Sequence, residues 1–262
     1  MRIIITGGNG YIAKSLYNAL KDKYDITCIT RQQLDLTDGE ATIQWFKDKH
    51  FDVVIHCAVK GGSRLKGDTF ADMDRNLCMY YNLLQCQSHY DKFIQFGSGA
   101  ELLQRDTPYG LSKHVIRQSV LEKSRFYNIR IYGVFDENEL DTRFVKSNIK
   151  RYINKEPMLI QDKRMSFFYM QDLITLVKYH ITTDPCELIS ESNCAYVAST
   201  SLMDIANMIN ELDYHKVPIY MDTQPGVDYE SSLNAPYGLD YIGLKQGIKT
   251  VYDNLLHKHS SQ

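Results

Sequence analysis

Three residues near the middle of the chain have types and spacing suited to proton exchange beside a hydride transfer. Tyr109 and Lys113 are four residues apart, so on a helix they share one face. An ammonium beside a phenol favours the phenolate and lowers the pKa of the tyrosine toward neutrality. Such a tyrosine can exchange a proton with a substrate oxygen, which Ser98 can also hydrogen-bond. The set predicts chemistry on a carbonyl/alcohol pair, with Lys113 placed to hold a nicotinamide ribose as well.

The spacing of this tyrosine and lysine occurs by chance in many helices. It supports a hydride-transfer site only together with the motifs that precede it in the chain. An apolar run over residues 1–6 leads into a Gly-rich turn and then an amphipathic stretch. Gly7 permits a tight turn, Gly10 lets the backbone approach a pyrophosphate, and Ala13 allows close packing of helix on strand. The following helix N-terminus offers N–H groups to phosphate. The pattern predicts a dinucleotide site, and the alternative is a simple tight turn.

The segment after the second predicted strand bears on which dinucleotide is bound. Arg31 follows the strand predicted over residues 25–30, where an acidic residue would select NAD and an arginine suits a 2′-phosphate. Arg31 therefore favours NADP(H), with NAD possible; the alternative is a solvated surface arginine. Asp35 and Leu36 are candidate adenine contacts, although Asp35 can instead help to cap the next helix.

Small residues end the third predicted strand and leave room for a cofactor. Cys57 and Ala58 stand at its carboxyl end, and Val59 opens a Gly-containing loop predicted to lie over the site. Lys60 in that loop can contact phosphate, or it can be a solvated lysine. His56 lies inside the apolar strand, which favours a hydrogen-bonded core histidine over a catalytic one.

Composition bounds the class of protein. The chain has 262 residues, with 30 Lys plus Arg against 32 Asp plus Glu, a net charge of −2. This balance argues against a general nucleic-acid binder or a basic membrane-surface protein. The six cysteines form no CxxC pair, and no apolar run approaches a membrane span, so free thiols in a reducing cytoplasm are expected. No cluster has metal-ligand spacing, and no metal is predicted.

Ordered motifs along nearly the whole chain resemble the extended short-chain dehydrogenase/reductases, the group of nucleotide-sugar epimerases, dehydratases and reductases. The matching segments are TGGNGYIA, DVVIHCA, FGS, PYGLSK, NIRIYGVF, RMSFFYMQDL and IGLKQGIKTVYDNL. Within that family, ITRQQLDLTD followed by CAVKGG looks most like the GDP-fucose synthase-like, NADPH-dependent 4-keto-sugar reductases.

The resemblance implies a role for each matching residue. Tyr109 would be the general acid, Lys113 the partner that lowers its pKa, and Ser98 the hydroxyl that binds the carbonyl. The pyrophosphate would be held by Gly7, Gly10, Tyr11 and Ile12. Arg31 would take the 2′-phosphate. Family members often form homodimers through helices that correspond to residues near 72–90 and 107–125, so a homodimer is expected.

Departures from the family pattern reduce the number of reactions that the chain is expected to catalyse. Dehydratases of the family carry Asp-Glu directly after the catalytic Ser or Thr, where this chain has Gly99 and Ala100, with Glu101 one residue further. Epimerising GDP-fucose synthases use a cysteine where Ala100 stands and a downstream histidine that the region around Arg143 lacks. Plain ketoreduction at C4 therefore fits better than dehydration or 3,5-epimerisation. The chain is also short for the group, which implies a smaller or less enclosed sugar site, or a different substrate.

The predicted fold is a Rossmann-type doubly wound parallel sheet with a small C-terminal α/β substrate-binding region. The dinucleotide-binding domain is expected over residues 1–160, with a segment at about 164–182 returning to it. Residues 183–262 would be mainly the substrate-binding cap. Arg143 and Arg164 are candidates for a nucleotide diphosphate, since guanidinium groups match phosphate oxygens, and solvated faces are the alternative.

Three local predictions concern the remaining elements. Helical spacing predicts a long helix over residues 72–90, and a strand is expected over residues 194–199. Asp172 is interpreted as a helix N-cap with a structural role.

Three functions are compatible with these sequence features. The leading hypothesis is an NADPH-dependent reductase of a nucleotide-linked 4-keto sugar, with Tyr109 as proton donor. A nucleotide-sugar 4-epimerase would use the same residues and hold NAD tightly. A dinucleotide-binding sensor or scaffold without catalysis is the third, and it would have no need of a catalytic acid.

Overall fold

The computed structural model describes residues 1–63, 66–236 and 238–260. Its strands are β1 (Arg2–Thr6), β2 (Asp25–Ile29), β3 (Phe51–His56), β4 (Tyr90–Ser98), β5 (Phe126–Ile131), β6 (Val134–Phe135), β7 (Met158–Ile160), β8 (Phe168–Tyr169), β9 (Glu191–Cys194) and β10 (Ile219–Met221). Its helices are α1 (Tyr11–Leu20), α2 (Gly39–Phe46), α3 (Phe70–Gln85), α4 (Ala100–Leu103), α5 (Pro108–Leu121), α6 (Phe144–Ile153), α7 (Met170–Thr182), α8 (Leu202–Asn210) and α9 (Leu244–Ser260). Strands and helices alternate through the first half, as a parallel sheet with crossover helices requires.

The main sheet of the described chain has the strand order β2-β1-β3-β4-β5-β9. The pairings from β2 to β5 are parallel, and the register sets Thr6 opposite both Ile29 and His56. The chain leaves β1 to one side for β2 and to the other side for β3, so the strand order reverses at β1. Ligands of open α/β sheets bind at the carboxyl ends of the strands at such a reversal. The predicted Rossmann-type doubly wound fold is confirmed. The carboxyl ends of β1 and β3, where ligands of such folds bind, lie at Thr6 and His56.

Continuous burial along the central strands explains why the sheet is parallel and covered. In β1 the side chains of residues 3–6 are fully buried, and β4 is buried at every position except Asp91. Such unbroken burial is typical of strands with helices on both faces. Aromatic rings fill one side of this core, with Phe93 stacked on Phe126 at a centroid distance of 5.0 Å. A well-filled core of this kind holds the strand ends in fixed positions.

The described chain divides into two compact units. The first comprises residues 1–131 with 177–192, and the second comprises residues 132–176 with 193–262. The boundary expected near residue 160 falls within the second unit. The roles assigned to the two domains stay a prediction.

The second unit has an apolar core of its own. Helices α6, α8 and α9 contribute buried side chains that include Ile149, Ile205 and Val251. Its strands pair in parallel as two short sheets, β7 with β10 and β6 with β8. Ser201 and Asp204 form a reciprocal capping box at the start of α8. Local caps and an apolar face on each helix therefore define this unit.

Three local predictions differ from the structure. The helix predicted over residues 72–90 ends at Gln85, because a 3-10 turn and then β4 follow directly. The strand predicted over residues 194–199 ends instead at Cys194. Asp172 is not a cap of α7, in whose first turn it lies, because its carboxylate accepts the backbone N–H groups of Ile242, at 2.7 Å, and Gly243, at 3.0 Å, just before α9.

No helix among the residues that the structure describes is long and apolar enough to cross a membrane.

Candidate active site

The Gly-rich turn after β1 has the geometry of a phosphate cradle. Gly7 has a φ of +71°, and a Cβ there would lie 2.8 Å from the backbone of Ala58. Gly10 is the N-cap of α1 and supplies no side-chain cap, and the first turn of α1 carries no acidic residue. The backbone of Tyr11 and Ile12 therefore begins a helix whose positive end lacks a competing carboxylate. These features fit a dinucleotide pyrophosphate.

Hydrogen bonds join the ends of β1 and β3 beside this turn. Thr6 Oγ1 lies 2.8 Å from Nδ1 of His56 and accepts the backbone N–H of Ala58 at 3.2 Å. Burial lowers the pKa of His56 to about 3, with the nearby Lys113 charge adding to the effect. His56 is thus a neutral core histidine, the interpretation that the sequence favoured. Burial also raises the pKa of Cys57, which makes it an inert small side chain at the strand end.

The residues expected at the adenosine end lie together in the turn after β2. The Arg31 guanidinium is paired with the Asp35 carboxylate at 2.9 Å, and both side chains are substantially exposed. Asp35 also accepts the backbone N–H and the hydroxyl of Thr37, which lowers the pKa of that carboxyl. Leu36 is buried, and its carbonyl accepts a hydrogen bond from Asn82 at 2.8 Å. The structure assigns Leu36 a core position and leaves the guanidinium of Arg31 at the surface.

The start of α5 carries Tyr109 and Lys113 because Thr107 caps the helix and Pro108 occupies its first turn. The Lys113 ammonium donates to the Phe96 carbonyl of β4 at 2.6 Å and lies 5.9 Å from the centroid of the Tyr109 ring. Lys113 is buried, and Tyr109 is half-buried. The helix thus holds the lysine beneath the tyrosine ring at the end of β4.

Burial lowers the pKa of Lys113 to about 8, while the nearby Glu101 carboxylate acts in the opposite direction. Ser98 ends β4, is buried, and accepts the N–H of Ala100 on its Oγ at 3.3 Å. Because β4 supplies both Ser98 and the carbonyl that holds Lys113, one strand end positions two members of the predicted set. The structure therefore brings Ser98, Tyr109 and Lys113 into the same unit at one edge of the sheet.

The loop after β3 is fixed against α5. Gly62 has a φ of +71°, and a Cβ on it would lie 2.8 Å from the ring of Tyr109. The buried amide of Asn76 accepts the backbone N–H of Lys60 at 2.8 Å and donates to the hydroxyl of Ser112 at 3.2 Å. Asn76 therefore links this loop to α5, a role that its place in a helical pattern did not reveal. The side chains of Val59 and Lys60 are exposed.

Sequence reasoning also missed a buried ionic cluster behind Ser98. We call the four residues Glu101, Arg130, Glu191 and Arg117 the ionic cluster. Arg130 lies 2.6 Å from Glu101 and is also paired with Glu191, which Arg117 contacts at 3.0 Å. The only signal in the sequence was a glutamate three residues after the serine, which the family comparison had noted as displaced from the dehydratase position.

Two arginines proposed for a nucleotide diphosphate lie in the second unit. Arg143 precedes α6 as its N-cap and makes no side-chain cap, and the Glu139 carboxylate accepts the N–H of Lys146 in that first turn at 3.1 Å. Arg164 donates to the Ser199 hydroxyl at 2.7 Å and lies 3.5 Å from the Glu230 carboxylate. Arg164 is thus engaged within its own unit, and the diphosphate role of both arginines stays a prediction.

The reversed sheet, the Gly-rich turn and the Ser, Tyr and Lys at adjacent strand and helix ends define a dinucleotide-binding enzyme of the extended short-chain dehydrogenase type. The chain belongs to the NAD dependent epimerase/dehydratase family, which matches residues 3–187. CDP-abequose synthase from Yersinia pseudotuberculosis is 23% identical over 239 aligned residues, 81% of this chain and 84% of that protein. The predicted family is therefore confirmed.

Solved structures agree on the fold. A GDP-mannoheptose C4 reductase from Campylobacter jejuni with NADP bound has a TM-score of 0.78 at 18% identity, over 96% of this chain and 97% of that one. A UDP-glucose 4-epimerase from Thermotoga maritima has a TM-score of 0.81 at 17% identity, over 99% and 100%. The same fold thus accompanies both reduction and epimerisation of nucleotide sugars in these proteins.

Proposed function

We propose that this protein is an NADPH-dependent reductase of a nucleotide-linked 4-keto sugar. The observation that carries the proposal is the position of Ser98, Tyr109 and Lys113 around the end of β4, in the same unit as the glycine cradle. Reduction of a ketone needs a hydride source, a proton donor and a group that polarises the carbonyl. The three side chains supply the last two.

The bound dinucleotide would supply the hydride. Ser98 would hydrogen-bond the sugar carbonyl oxygen, and Tyr109 would donate its phenolic proton to that oxygen as negative charge develops. The Lys113 ammonium would stabilise the phenolate that remains, because opposite charges at this distance and burial attract strongly. Its attachment to the Phe96 carbonyl limits its movement during the step.

The position of Glu101 supports reduction over dehydration. Its carboxylate is fully buried and is engaged by Arg130, Asn128 and the backbone N–H of Ser98. A carboxylate committed to those partners is not available as an acid or base for sugar dehydration. Gly99 and Ala100, which precede it, carry no titratable group.

The substrate class is inferred from the family and from the relatives. Relatives named above act on or make CDP-, GDP- and UDP-linked sugars according to their names. We infer a nucleotide-linked sugar as substrate and leave its base open. Arg31 at the surface after β2 supports NADP(H) as the preferred cofactor.

The proposal predicts NADPH oxidation with 4-keto-6-deoxyhexoses linked to GDP, dTDP, UDP or CDP, followed by absorbance. In Tyr109→Phe, kcat should fall by about 100-fold or more, because no proton donor remains, while NADPH binding measured by fluorescence is retained. Tyr17→Phe, a change of the same atoms on the exposed side of α1, should keep wild-type kcat.

Full turnover in Tyr109→Phe would reject this mechanism. Bound NAD that survives purification, with interconversion of C4 epimers and no net loss of NADPH, would establish the 4-epimerase instead. The fold match to a UDP-glucose 4-epimerase makes that outcome the specific competitor. Dinucleotide binding without turnover of any substrate in the panel would favour the sensor or scaffold.

A further inference from the structure

The ionic cluster is built from four separate elements. Glu101 lies on α4, Arg117 on α5, Arg130 on β5 and Glu191 on β9. Arg130 and Glu101 are almost fully buried, with 2% and 0% of their side chains exposed, and they are 2.6 Å apart. Two carboxylates and two guanidinium groups make the cluster neutral as a whole. Burying the charges of Glu101 and Arg130 is costly, and their close pairing offsets that cost.

Glu101 connects this cluster to the main chain of Ser98. One carboxylate oxygen accepts the backbone N–H of Ser98 at 3.1 Å, and the other accepts from Arg130 and from Asn128 at 2.8 Å. A Cβ on Gly97 would lie 2.6 Å from both Glu101 Oε2 and Asn128 Oδ1, so the carboxylate occupies the space of that missing side chain. Glu101 therefore adds a side-chain bond to the pairing of β4 with β5 and helps to fix the Ser98 backbone.

Glu101 also acts on Lys113. Among the described residues, titratable groups that interact with the Lys113 ammonium include His56 and Cys57 at the carboxyl end of β3, Glu101 from α4, and Tyr109 from its own helix. His56 is neutral, and burial raises the pKa of Cys57, so neither carries charge at neutral pH. Glu101 is thus the anion among these groups that favours the charged form of the lysine.

We propose that Glu101 is a positioning residue of the reaction: its buried carboxylate fixes the Ser98 main chain and supplies the countercharge that holds Lys113 as an ammonium ion. This inference rests on the proposed function, since it acts through Ser98 and Lys113. Burial raises the pKa of Glu101, and direct pairing with Arg130 acts against that rise, so Arg130 favours the ionised carboxylate. Glu191 and Arg117 complete the pairing of Arg130 and have a structural role.

The inference is tested by the pH dependence of NADPH binding, measured by fluorescence from neutral to alkaline pH. In the wild type, affinity should fall above about pH 8, where Lys113 loses its proton. In Glu101→Gln the midpoint of that fall should move down by about one pH unit, because the countercharge is gone while the amide still accepts from Ser98. Glu101→Asp, which keeps the charge, should restore the wild-type midpoint.

Glu191→Gln is the matched control. It removes the same charge from the same arginine, Arg130; the Glu191 carboxylate is held by Arg117 and Arg130 and is not among the groups that shift the pKa of Lys113. It should lower thermal stability and leave the midpoint unchanged. If Glu101→Gln does not fold, as judged by circular dichroism, Glu101→Gln combined with Arg130→Met removes one charge of each sign and should show the same shift.

Two results would overturn the inference. One leaves the proposed function standing, and the other also rejects the role of Lys113 in it. A wild-type midpoint in Glu101→Gln, together with lowered stability, would mean that Glu101 is only structural, and the proposed function would stand. An alkaline fall in affinity that persists in Lys113→Met would mean that the fall does not report Lys113. That second result would reject the role of Lys113 in the proposed function, and this inference with it.

Discussion

Arg31 illustrates how a single residue depends on its neighbours. The sequence places an arginine after β2, where it suits a 2′-phosphate. The structure adds that the guanidinium is paired with Asp35, itself held by Thr37. An exposed pair of this kind is worth about 1 kcal/mol or less, so a phosphate can displace it. Asp35 therefore orients the guanidinium at small cost, and an adenine contact through Asp35 stays a prediction.

At this scale we expect Arg31→Ala to weaken NADPH binding by about tenfold or more and to leave NADH binding within about twofold, since only NADPH carries the phosphate. Fluorescence titration with both cofactors measures the ratio. Arg2→Ala is the matched control, because Arg2 is also an exposed arginine paired with an aspartate, and it lies at the amino end of β1, away from the turn that carries Arg31. Equal losses for the two cofactors in Arg31→Ala would contradict NADP(H) selection by this residue.

At the scale of elements, Asp172 shows that a helix can be started by a residue far away in sequence. Its buried carboxylate accepts two N–H groups just before α9 and the hydroxyl of Tyr196. An anion near a helix N-terminus is favourable because the helix dipole is positive there. The C-terminal helix thus depends on a side chain from α7, more than 70 residues earlier.

We expect Asp172→Asn to lower the free energy of unfolding by about 2 kcal/mol, because buried hydrogen bonds to a charged group are lost. Chemical denaturation measures the loss, and amide exchange should rise at the start of α9. Asp204→Asn provides the comparison, since Asp204 caps α8 at an exposed position and should cost about 1 kcal/mol or less. Equal losses of unfolding free energy in the two variants would show that the bonds from Asp172 to the start of α9 stabilise the protein no more than an exposed helix cap does.

The sequence predicted those elements that local rules determine. The strand, glycine turn and helix at the N-terminus follow from the local sequence pattern. The partners of Asp172 and Glu101 could not be predicted, because they come from elements that are distant along the chain. The strand expected over 194–199 was displaced because residue pairing across the sheet, which local pattern does not report, decides its bounds.

For the whole molecule, one buried carboxyl makes folding depend on pH. Burial raises the pKa of Glu139 to about 8. Between its ordinary value near 4.5 and this value, the folded chain holds a proton that the unfolded chain releases. Folding stability must therefore decrease as the pH rises through that window, by up to about 1.4 kcal/mol per pH unit from this group.

Glu139→Gln should remove this dependence, because the amide is neutral at every pH and still accepts from the Lys146 N–H. Thermal unfolding should show a higher Tm than the wild type at slightly alkaline pH and little difference near the ordinary carboxyl pKa. Asp141→Asn in the same loop should do the reverse: ion pairs with Lys146 and Lys150 lower the pKa of Asp141 to about 2, so its loss removes stability above that pH. A Glu139→Gln curve parallel to the wild type would disprove the assignment.

The close approach at Gly97 has a consequence for how this chain can change. A methyl group at residue 97 would overlap the Glu101 and Asn128 side chains, and replacing Glu101 alone by alanine would remove one of the two carboxylates that pair with the buried Arg130. Each single substitution is therefore harmful, whereas a simultaneous exchange of residues 97 and 101 can fill the same space. Laboratory evolution that varies one codon at a time would therefore recover no substitutions at residues 97 and 101. Libraries that vary both codons together would be needed to find tolerated pairs.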